Sequence, residues 1–285
     1  MTIESASRLL IASMGEFYDE REASAISMLV MEHLTSMSRG LQIIHKTDQL
    51  TEDKSNLFNK FLMELRTGRP VQYVLGLAWF GGIPFYVDEN VLVPRPETEE
   101  LADWLLKDLA GSGSGLTILD IGTGSGCIPI YLKKKRPEFN ISAIDISEPA
   151  LKIAKKNAET NKTVVDFIHC DIRDRASRQI MKTADIFISN PPYIPEKQRS
   201  DLARNVKDFE PGLALFVPDE DPITFYKIIS DFAGEKLKKG GTIFLEIHHD
   251  FVRPVMDWYE KNGYNLELRK DFSGNNRMIK AVRRY

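Results

Sequence analysis

A glycine-rich stretch at residues 120–126, Asp-Ile-Gly-Thr-Gly-Ser-Gly, constrains the fold of this 285-residue chain more than any other feature. An apolar run at residues 116–119 precedes it, and an apolar run typical of a helix begins at Cys127. A strand that enters a glycine turn and leaves as a helix presents backbone N–H groups and the positive end of a helix dipole to a ligand. The stretch therefore predicts a cofactor pocket in an α/β domain.

The spacing of the glycines discriminates between cofactors. A dinucleotide loop has glycines at its first, third and sixth positions, but counting from Gly122 the third glycine is Gly126 at position five, and Cys127 stands at position six. No Gly-Lys-Ser/Thr follows, which excludes a loop that cradles a triphosphate. An acidic residue before three alternating glycines resembles the loop that wraps S-adenosylmethionine in class I methyltransferases. A tight turn without a ligand is the alternative interpretation.

Composition is that of a soluble globular protein, with 42% hydrophobic and 28% charged residues. The formal net charge of −3 argues against a surface that coats nucleic acid, so no direct nucleic-acid binding is expected. Cys127 and Cys170 lack metal-type spacing and no secretory signal begins the chain, so we expect free thiols in the cytoplasm. No apolar run approaches the roughly 20 residues that cross a bilayer, so no membrane partner is expected.

The first 75 residues have the pattern of helices only. Asp19 and Glu22 form a predicted capping box, and Thr51 is expected to cap a later helix. From Tyr73 the pattern changes, and residues 78–87 predict a β-hairpin around Gly-Gly. The expected buried stripes of the two helices are Ile26, Leu29, Val30 and Leu34, then Leu57, Phe58, Phe61, Leu62 and Leu65.

Beyond the glycine loop, predicted strands and helices alternate. Repeated βα units predict a parallel sheet with helices on both faces, to which a closing hairpin adds an antiparallel strand. Asp221-Pro222 is expected to cap a helix that runs to about Leu237. The predicted strands after the loop are 140–144, 164–169, 184–189, 242–247, 264–269 and 277–283. With the methyltransferase resemblance, this predicts a Rossmann-like, mostly parallel seven-stranded sheet with an antiparallel terminal strand, plus a small N-terminal all-helical domain.

Polar residues follow successive predicted strands, where ligands of open parallel sheets bind. Asp145 lies about 20 residues past the glycines, a position at which a carboxylate accepts both ribose hydroxyls. Asp171 suits an adenine amino group, with the backbone at Ile172 against the ring. Each aspartate has an alternative interpretation as a helix cap or turn former.

The four residues Asn190, Pro191, Pro192 and Tyr193 follow the next strand. Two prolines fix the backbone and remove two N–H donors, so this corner offers carbonyl oxygens and one side-chain amide. Asn190 and Pro191 can each accept one N–H of a planar NH2 group, which leaves the nitrogen lone pair for a methyl donor, and Tyr193 can stack on the planar group. Oriented acceptors stabilise the positive charge that develops on nitrogen. A turn that merely ends a strand is the alternative.

The two motifs together resemble methyltransferases that act on planar nitrogen, among them DNA adenine, ribosomal RNA guanine and protein glutamine enzymes. Further motifs resemble the release-factor glutamine methyltransferase family: Arg-Pro-Val-Gln-Tyr-Val-Leu-Gly at 69–76, Phe-Gly-Gly at 80–82, Val-Pro-Arg-Pro-Glu-Thr-Glu at 93–99, Phe-Glu-Pro at 209–211 and Leu-Ala-Leu-Phe at 213–216. The resemblance implies methyl transfer from S-adenosylmethionine, leaving S-adenosylhomocysteine, to the glutamine amide in the Gly-Gly-Gln loop of class 1 peptide chain release factors.

The resemblance also implies a division of residues and domains. Residues 1–75 would be a helical substrate-docking domain, 76–96 a β-hairpin connector and 97–285 the methyltransferase domain. The implied cofactor residues are Gly122, Thr123, Gly124, Ser125, Gly126, Asp145, Asp171, Ile172 and Asn190. The implied substrate residues are Asn190, Pro191, Pro192 and Tyr193, with Asn190, Pro191 and Tyr193 catalytic.

Other interpretations differ in what they require. A ribosomal-protein glutamine methyltransferase shares the motifs but differs in its docking domain, whereas a DNA or RNA amine methyltransferase usually carries a recognition domain or a basic surface. A binding module without catalysis needs no corner for a planar amine. No metal is expected, because the side chains of His248, His249 and Asp250, at the end of a predicted strand, would point to opposite faces.

Overall fold

The structure, a computed structural model, describes residues 1–111, 113 and 115–284 and contains two compact units. The first unit comprises Met1–Leu77 and Leu202–Phe209, and the second comprises Ala78–Asp201 and Glu210–Tyr285. Most of the predicted 76–96 connector thus belongs to the second unit, while its role stays a prediction.

The described residues form the following helices and strands. The helices are α1 Ile3–Ser13, α2 Glu20–Thr35, α3 Arg39–Ile44, α4 Glu52–Leu65, α5 Val71–Leu75, α6 Pro96–Asp108, α7 Cys127–Lys135, α8 Glu148–Thr160, α9 Arg175–Gln179, α10 Arg204–Lys207, α11 Gly212–Leu215, α12 Thr224–Lys236 and α13 Val252–Lys261. The strands are β1 Ala78–Phe80, β2 Ile83–Phe85, β3 Thr117–Ile121, β4 Asn140–Asp145, β5 Asp166–His169, β6 Ala184–Ser189, β7 Ile194–Pro195, β8 Phe216–Val217, β9 Leu237–Glu246, β10 Tyr264–Lys270 and β11 Asn276–Arg283. Two 3₁₀ helices are Glu196–Asp201 and His249–Phe251.

The predicted helix caps of the first unit are confirmed. The backbone N–H of Glu22 donates to the Asp19 carboxylate at 2.8 Å, and the Asp19 N–H donates back to Glu22 at 3.4 Å. Thr51 accepts from the Lys54 N–H at 3.4 Å. These contacts satisfy backbone donors that the first turn of a helix leaves free, and so fix where α2 and α4 begin.

The buried stripes are narrower than predicted. Leu29 is 42% exposed and Leu57 is 39% exposed, so both expectations were wrong. Each lies about 100° around its helix from the residue that follows it, Val30 or Phe58, which is buried. The core of the unit includes Ile26, Val30, Leu34, Phe58, Phe61 and Leu65, with Leu62 packed against it.

The second unit contains a seven-stranded sheet in the order β10-β11-β9-β6-β3-β4-β5. Neighbouring strands from β9 to β5 pair in parallel, and β11 pairs antiparallel with both β9 and β10. Alternate residues face opposite sides, as Ile118 and Ile186 enter one apolar cluster while Leu119 and Phe187 enter the other. The predicted α/β fold with its antiparallel terminal strand is confirmed.

Several element boundaries differ from the predictions. Strand β5 begins at Asp166 rather than at Val164, which is 82% exposed. The helix α12 begins at Thr224 after Ile223, so the expected cap at Asp221 was wrong. Its carboxylate instead pairs with the ammonium group of Lys227 at 2.7 Å, and an ion pair competes with capping of the backbone.

The β1–β2 hairpin turns next to an aromatic ring, which yields a stability prediction. Gly81 has φ +58°, and a Cβ added there would lie 2.1 Å from the Tyr131 ring. We expect Gly81→Ala to lower the free energy of unfolding by about 2–4 kcal/mol, because overpacking adds to the strain of positive φ. Urea unfolding measures the change.

The next glycine provides the matched control. Gly82 also has positive φ, +73°, but an added Cβ there would meet no atom within 4 Å. Gly82→Ala should therefore cost only about 1 kcal/mol, the strain of the backbone alone. Equal losses in the two variants would contradict the role assigned to the Tyr131 ring.

Candidate active site

A cavity of about 910 Å³, including its open mouth, lies in the second unit at the carboxyl ends of β3, β4 and β6. Most of the predicted site residues line it: Gly122, Gly124, Asp145, Asp171, Ile172, Asn190, Pro191 and Pro192. Thr123, Ser125, Gly126 and Tyr193 do not appear among its lining residues. Sequence reasoning missed further lining residues, among them Asn90, Val91, Leu92, Ser147, Arg173, Pro211, Leu213, Ala214 and Phe225.

The glycine loop leaves room for a ligand at its first two glycines. Gly122, Gly124 and Gly126 all have positive φ, and a Cβ on Gly122 or Gly124 would meet no atom within 4 Å. A Cβ on Gly126 would instead lie 3.1 Å from Ala154, because this glycine is the N-cap of α7 and packs against α8. The first two glycines therefore offer backbone to the cavity, and the third allows close packing of the helices.

Asp145, the last residue of β4, is anchored to the glycine loop. Its carboxylate accepts from the Gly124 N–H at 2.8 Å and from the Ser147 N–H at 2.8 Å. Burial raises the pKa of Asp145, and these hydrogen bonds oppose that rise. The carboxylate is thus held in one orientation at the cavity wall, where its remaining lone pairs suit ligand hydroxyl groups.

Asp171 is neutralised by a neighbour that the sequence did not single out. The Arg173 guanidinium donates to both carboxylate oxygens at 2.8–3.1 Å and holds the pKa of Asp171 below its usual value. Arg178 donates to the Ile172 carbonyl. Asp171 and Ile172 together form the part of the wall that follows β5.

Asp120, the acidic residue of the glycine-rich motif, is a buried acceptor without a donor. Neither of its carboxylate oxygens makes a hydrogen bond of normal geometry to the described residues, and the same holds for the hydroxyls of Thr123 and Ser125. Burial raises the pKa of Asp120 to about 7, more than its interaction with Thr123 lowers it. A buried polar group in this state calls for a partner, and a ligand ammonium group supplies both donors and positive charge.

The ionisation of Asp120 gives a prediction for the ligand-free protein. A carboxyl group whose pKa is raised by folding favours the folded state at low pH and loses that contribution as pH rises through about 7. We expect Asp120→Asn to become progressively more stable than wild type between about pH 5 and pH 8. Urea unfolding across this range measures the difference.

Ser125→Ala is the control for this prediction, since it alters the same buried set without removing a titratable group. It should keep the wild-type dependence of stability on pH. An Asp120→Asn protein with the wild-type slope would show that Asp120 ionises normally in the folded chain.

The Asn190 side chain is held by a residue on α6. Its Nδ2 donates to the Thr98 hydroxyl at 2.9 Å, so the amide oxygen is the end that remains for a ligand. Pro191 and Pro192 follow, and both line the cavity. The Tyr193 hydroxyl donates to Glu246 at 3.0 Å, and burial, with the Glu246 charge, raises the pKa of Tyr193. Its expected stacking on a substrate stays a prediction.

Residues 248–250 are not an extended strand end as expected. Strand β9 ends at Glu246 and the chain turns into a 3₁₀ helix, so the side chains do not alternate between faces. The rings of His248 and His249 stack with centroids 4.6 Å apart, and the ligand atoms of these histidines and Asp250 lie within 4.8 Å of one another. His248 Nδ1 already accepts from the Asp250 N–H at 3.2 Å. The absence of a metal requirement stays a prediction.

The fold and the matching family models define the class of the protein. Residues 98–207 match the family described as "Methyltransferase small domain", and residues 7–76 match the "PrmC N-terminal domain". A methyltransferase structure from Pyrococcus furiosus aligns with a TM-score of 0.53 and 18% identity over 72% of this chain and 91% of its own. A 16S ribosomal RNA methyltransferase from T. thermophilus aligns with a TM-score of 0.51 and 16% identity over 73% of this chain and 50% of its own. The chain is a class I methyltransferase, a class that uses S-adenosylmethionine.

Curated relatives identify the family within that class. A protein of Flavobacterium psychrophilum is 36% identical over 99% of both chains, and one of Bacteroides thetaiotaomicron is 38% identical over 95% of this chain and 96% of its own. A third, from Bacillus subtilis, is 34% identical over 92% of both chains. Each is named a release factor glutamine methyltransferase. The chain belongs to the release factor glutamine methyltransferase family.

Among the described residues, none of the helices combines the length and the apolar character that a membrane span requires.

Proposed function

We propose that this chain methylates the side-chain amide nitrogen of the glutamine in the Gly-Gly-Gln loop of a class 1 peptide chain release factor. The observation that carries the proposal is the orientation of Asn190 at the cavity wall. Its Nδ2 is occupied by Thr98, so its oxygen remains as an acceptor, and Pro191 and Pro192 line the same cavity. Such a corner accepts a group with two N–H donors, which a primary amide supplies.

The proposal places the cofactor in this cavity. Gly122 and Gly124 would contact the cofactor through their backbone, Asp145 would accept from the ribose hydroxyls, and Asp171 with Ile172 would flank the adenine. Thr123, Ser125 and Gly126 do not line the cavity and would contribute to the cofactor site through the fold of the loop. S-adenosylmethionine supplies an electrophilic methyl group on its sulfonium sulfur and leaves as S-adenosylhomocysteine.

The protein would promote the reaction by orienting a poor nucleophile. An amide nitrogen attacks badly because its lone pair is delocalised into the carbonyl. Asn190 Oδ1 and the Pro191 carbonyl would each accept one N–H and so turn the lone pair toward the methyl donor, while stabilising the charge that grows on nitrogen. No strong base is needed, because the methylated nitrogen is acidic and releases its proton afterwards. The Tyr193 hydroxyl donates to Glu246 and supports the corner from outside the cavity.

Different parts of the chain would have different roles. The helices of residues 1–75 would dock the release factor, and residues 97–285 would bind the cofactor and carry out the transfer. Residues 76–96 would connect these two domains. The protein would act in the cytoplasm, on a protein substrate, without a membrane or nucleic-acid partner.

A methyl-transfer assay tests the proposal. The purified protein is incubated with labelled S-adenosylmethionine and, in separate reactions, a class 1 release factor, ribosomal proteins, ribosomal RNA and DNA. We expect label on the release factor alone, and mass spectrometry should locate one added methyl group on the glutamine of Gly-Gly-Gln. Label on a ribosomal protein, or on RNA or DNA, would replace the proposed substrate with one of the rival classes.

A further inference from the structure

Behind the Asn190 corner lies a buried chain of hydrogen bonds that the proposed mechanism does not yet use. Asn190 Nδ2 donates to Thr98 Oγ1 at 2.9 Å, and the Thr98 hydroxyl donates to Glu246 Oε2 at 2.6 Å. The other Glu246 oxygen, Oε1, accepts from the Tyr193 hydroxyl at 3.0 Å. Thr98 is 4% exposed and Glu246 is 1% exposed, so water does not compete for these contacts.

The direction of every bond in this chain is fixed by chemistry. An ionised carboxylate only accepts, so Thr98 must donate its single hydroxyl hydrogen to Glu246. The Thr98 oxygen is then an acceptor toward Asn190, and only the NH2 end of the Asn190 amide can satisfy it. The amide oxygen of Asn190 must therefore be the end left for a ligand.

The opposite orientation of the amide is unfavourable for the same reason. If Asn190 turned its oxygen toward Thr98, the hydroxyl would have to donate to Asn190 and release Glu246. A buried carboxylate oxygen would then lose its donor, which is costly inside a protein. The two ends of an asparagine amide have the same shape, so shape alone does not select between these orientations. The Glu246 carboxylate selects the orientation, because it must keep its donor.

We propose that Thr98 and Glu246 are positioning residues for methyl transfer, with Glu246 acting through Thr98 to hold the Asn190 amide oxygen toward the substrate nitrogen. This inference rests on the proposed function and adds a basis for substrate choice. A corner locked as an acceptor takes a primary amide, whose NH2 donates twice, and disfavours a carboxylate, which only accepts. Tyr193 supports the same carboxylate from the opposite side.

The sharpest test removes the hydroxyl of Thr98 and keeps its shape. Thr98→Val should lower kcat on a release factor by ~10–100-fold, because a misoriented acceptor loses contact with the reacting nitrogen. The Kd for S-adenosylmethionine and the KM for the release factor should change by less than ~3-fold, since neither binding step uses this hydroxyl. Thr98→Ser restores the hydroxyl and should return kcat to within ~3-fold of wild type.

Tyr226→Phe is the matched control. The Tyr226 hydroxyl donates to the backbone carbonyl of Glu246 at 3.2 Å, so this variant removes a buried hydroxyl beside the same residue without touching the carboxylate chain. Its kcat should stay near that of wild type. Wild-type protein that leaves the release-factor glutamine unlabelled would refute the proposed function itself. Normal labelling by wild type together with normal kcat for Thr98→Val, or a Thr98→Ser variant as slow as Thr98→Val, would refute only the positioning role.

A pH profile supplies a readout that does not depend on whether Thr98→Val folds. Burial raises the pKa of Glu246 to about 7, against the hydrogen bonds from Thr98 and Tyr193. An ionised carboxylate can only accept from Thr98, whereas a protonated one can also donate to Thr98 and so release the lock. The kcat of wild type should therefore rise with pH through that value and then level off. Other charged or titratable groups near Glu246 or its partners are Glu97, Arg95, Tyr193, Tyr226, His248 and Arg277.

Glu246→Gln separates the carboxylate from those neighbours. A glutamine can present either its oxygen or its NH2 group to Thr98, so the variant should have a lower kcat than wild type and should lack the inflection near Glu246's pKa. Titration of a neighbour would leave the inflection in place. A flat wild-type profile from about one unit below to about one unit above that pKa would overturn the proposal. An unchanged inflection in Glu246→Gln would do the same.

Discussion

Asn190→Ala should lower turnover on a release factor by ~10²–10³, as expected for the loss of one preorganised polar group that acts in the transition state. The amide oxygen disappears from the cavity wall, and the nitrogen that Thr98 accepts from is lost with it. Cofactor affinity should change far less, and the fold should survive because Asn190 follows the last residue of β6 rather than filling the core. Turnover at saturating substrates, with a separate measurement of cofactor affinity, distinguishes these effects.

Asn190→Asp is the companion variant because it keeps an acceptor in the same place. An aspartate oxygen toward Thr98 has no hydrogen to donate, so the hydroxyl would have to serve two carboxylates with one hydrogen. We therefore expect this variant to be slow as well, though it retains the acceptor toward the substrate. Asn190→Ala protein that methylates its release factor at the normal rate would refute the mechanism argued for the corner.

Asp145→Ala should weaken binding of S-adenosylmethionine by ~10–100-fold, because a charge-assisted hydrogen bond is worth about 1.5–3 kcal/mol. The change also removes the acceptor of the Gly124 and Ser147 N–H groups, so the glycine loop loses an anchor. Calorimetry with the purified protein measures the affinity and should find one site per chain.

Asp145→Asn provides the control for that loss. It keeps the shape of the side chain and one oxygen acceptor but removes the charge, so its affinity should lie between those of wild type and Asp145→Ala. Unchanged affinity in Asp145→Ala would remove Asp145 from the cofactor site. An Asp145→Asn protein as weak as Asp145→Ala would assign the effect to the charge together with the one backbone N–H that the amide can no longer accept.

The parts of the fold that sequence predicts well depend on local patterns. β6 begins and ends where its apolar run predicts, and Asp145 and Asn190 follow from the rule that polar residues gather where parallel strands end. Local patterns also produced the errors. The spacing of Leu29 fits a helical apolar stripe whether or not its side chain is buried, so the spacing did not reveal its exposure. Asp221 has the sequence of a helix cap, but its ion pair with Lys227 appears only in the folded structure.

The supporting contacts of the site depend on tertiary structure. Thr98 and Glu246 are 148 positions apart along the chain, and no spacing rule connects an α6 hydroxyl to the end of β9. Asp120 was within the recognised motif, yet its lack of a donor appears only once its surroundings are packed. The stacking of His248 on His249 likewise follows from where β9 ends, which was predicted one residue too late.

The path of the chain through the helical unit limits how such a protein can be rearranged in evolution. The chain leaves the second unit after Asp201, contributes Leu202–Phe209 to the first unit and returns at Glu210. In that excursion the Arg204 guanidinium lies over the Phe17 ring, with 4.9 Å between the group and the ring centroid. A gene crossover at the codon for Leu77 would therefore transfer an incomplete helical unit, separated from the eight residues it packs against. A complete helical unit in this architecture is therefore inherited from two distant places in the gene, and the first quarter of the gene alone does not encode it.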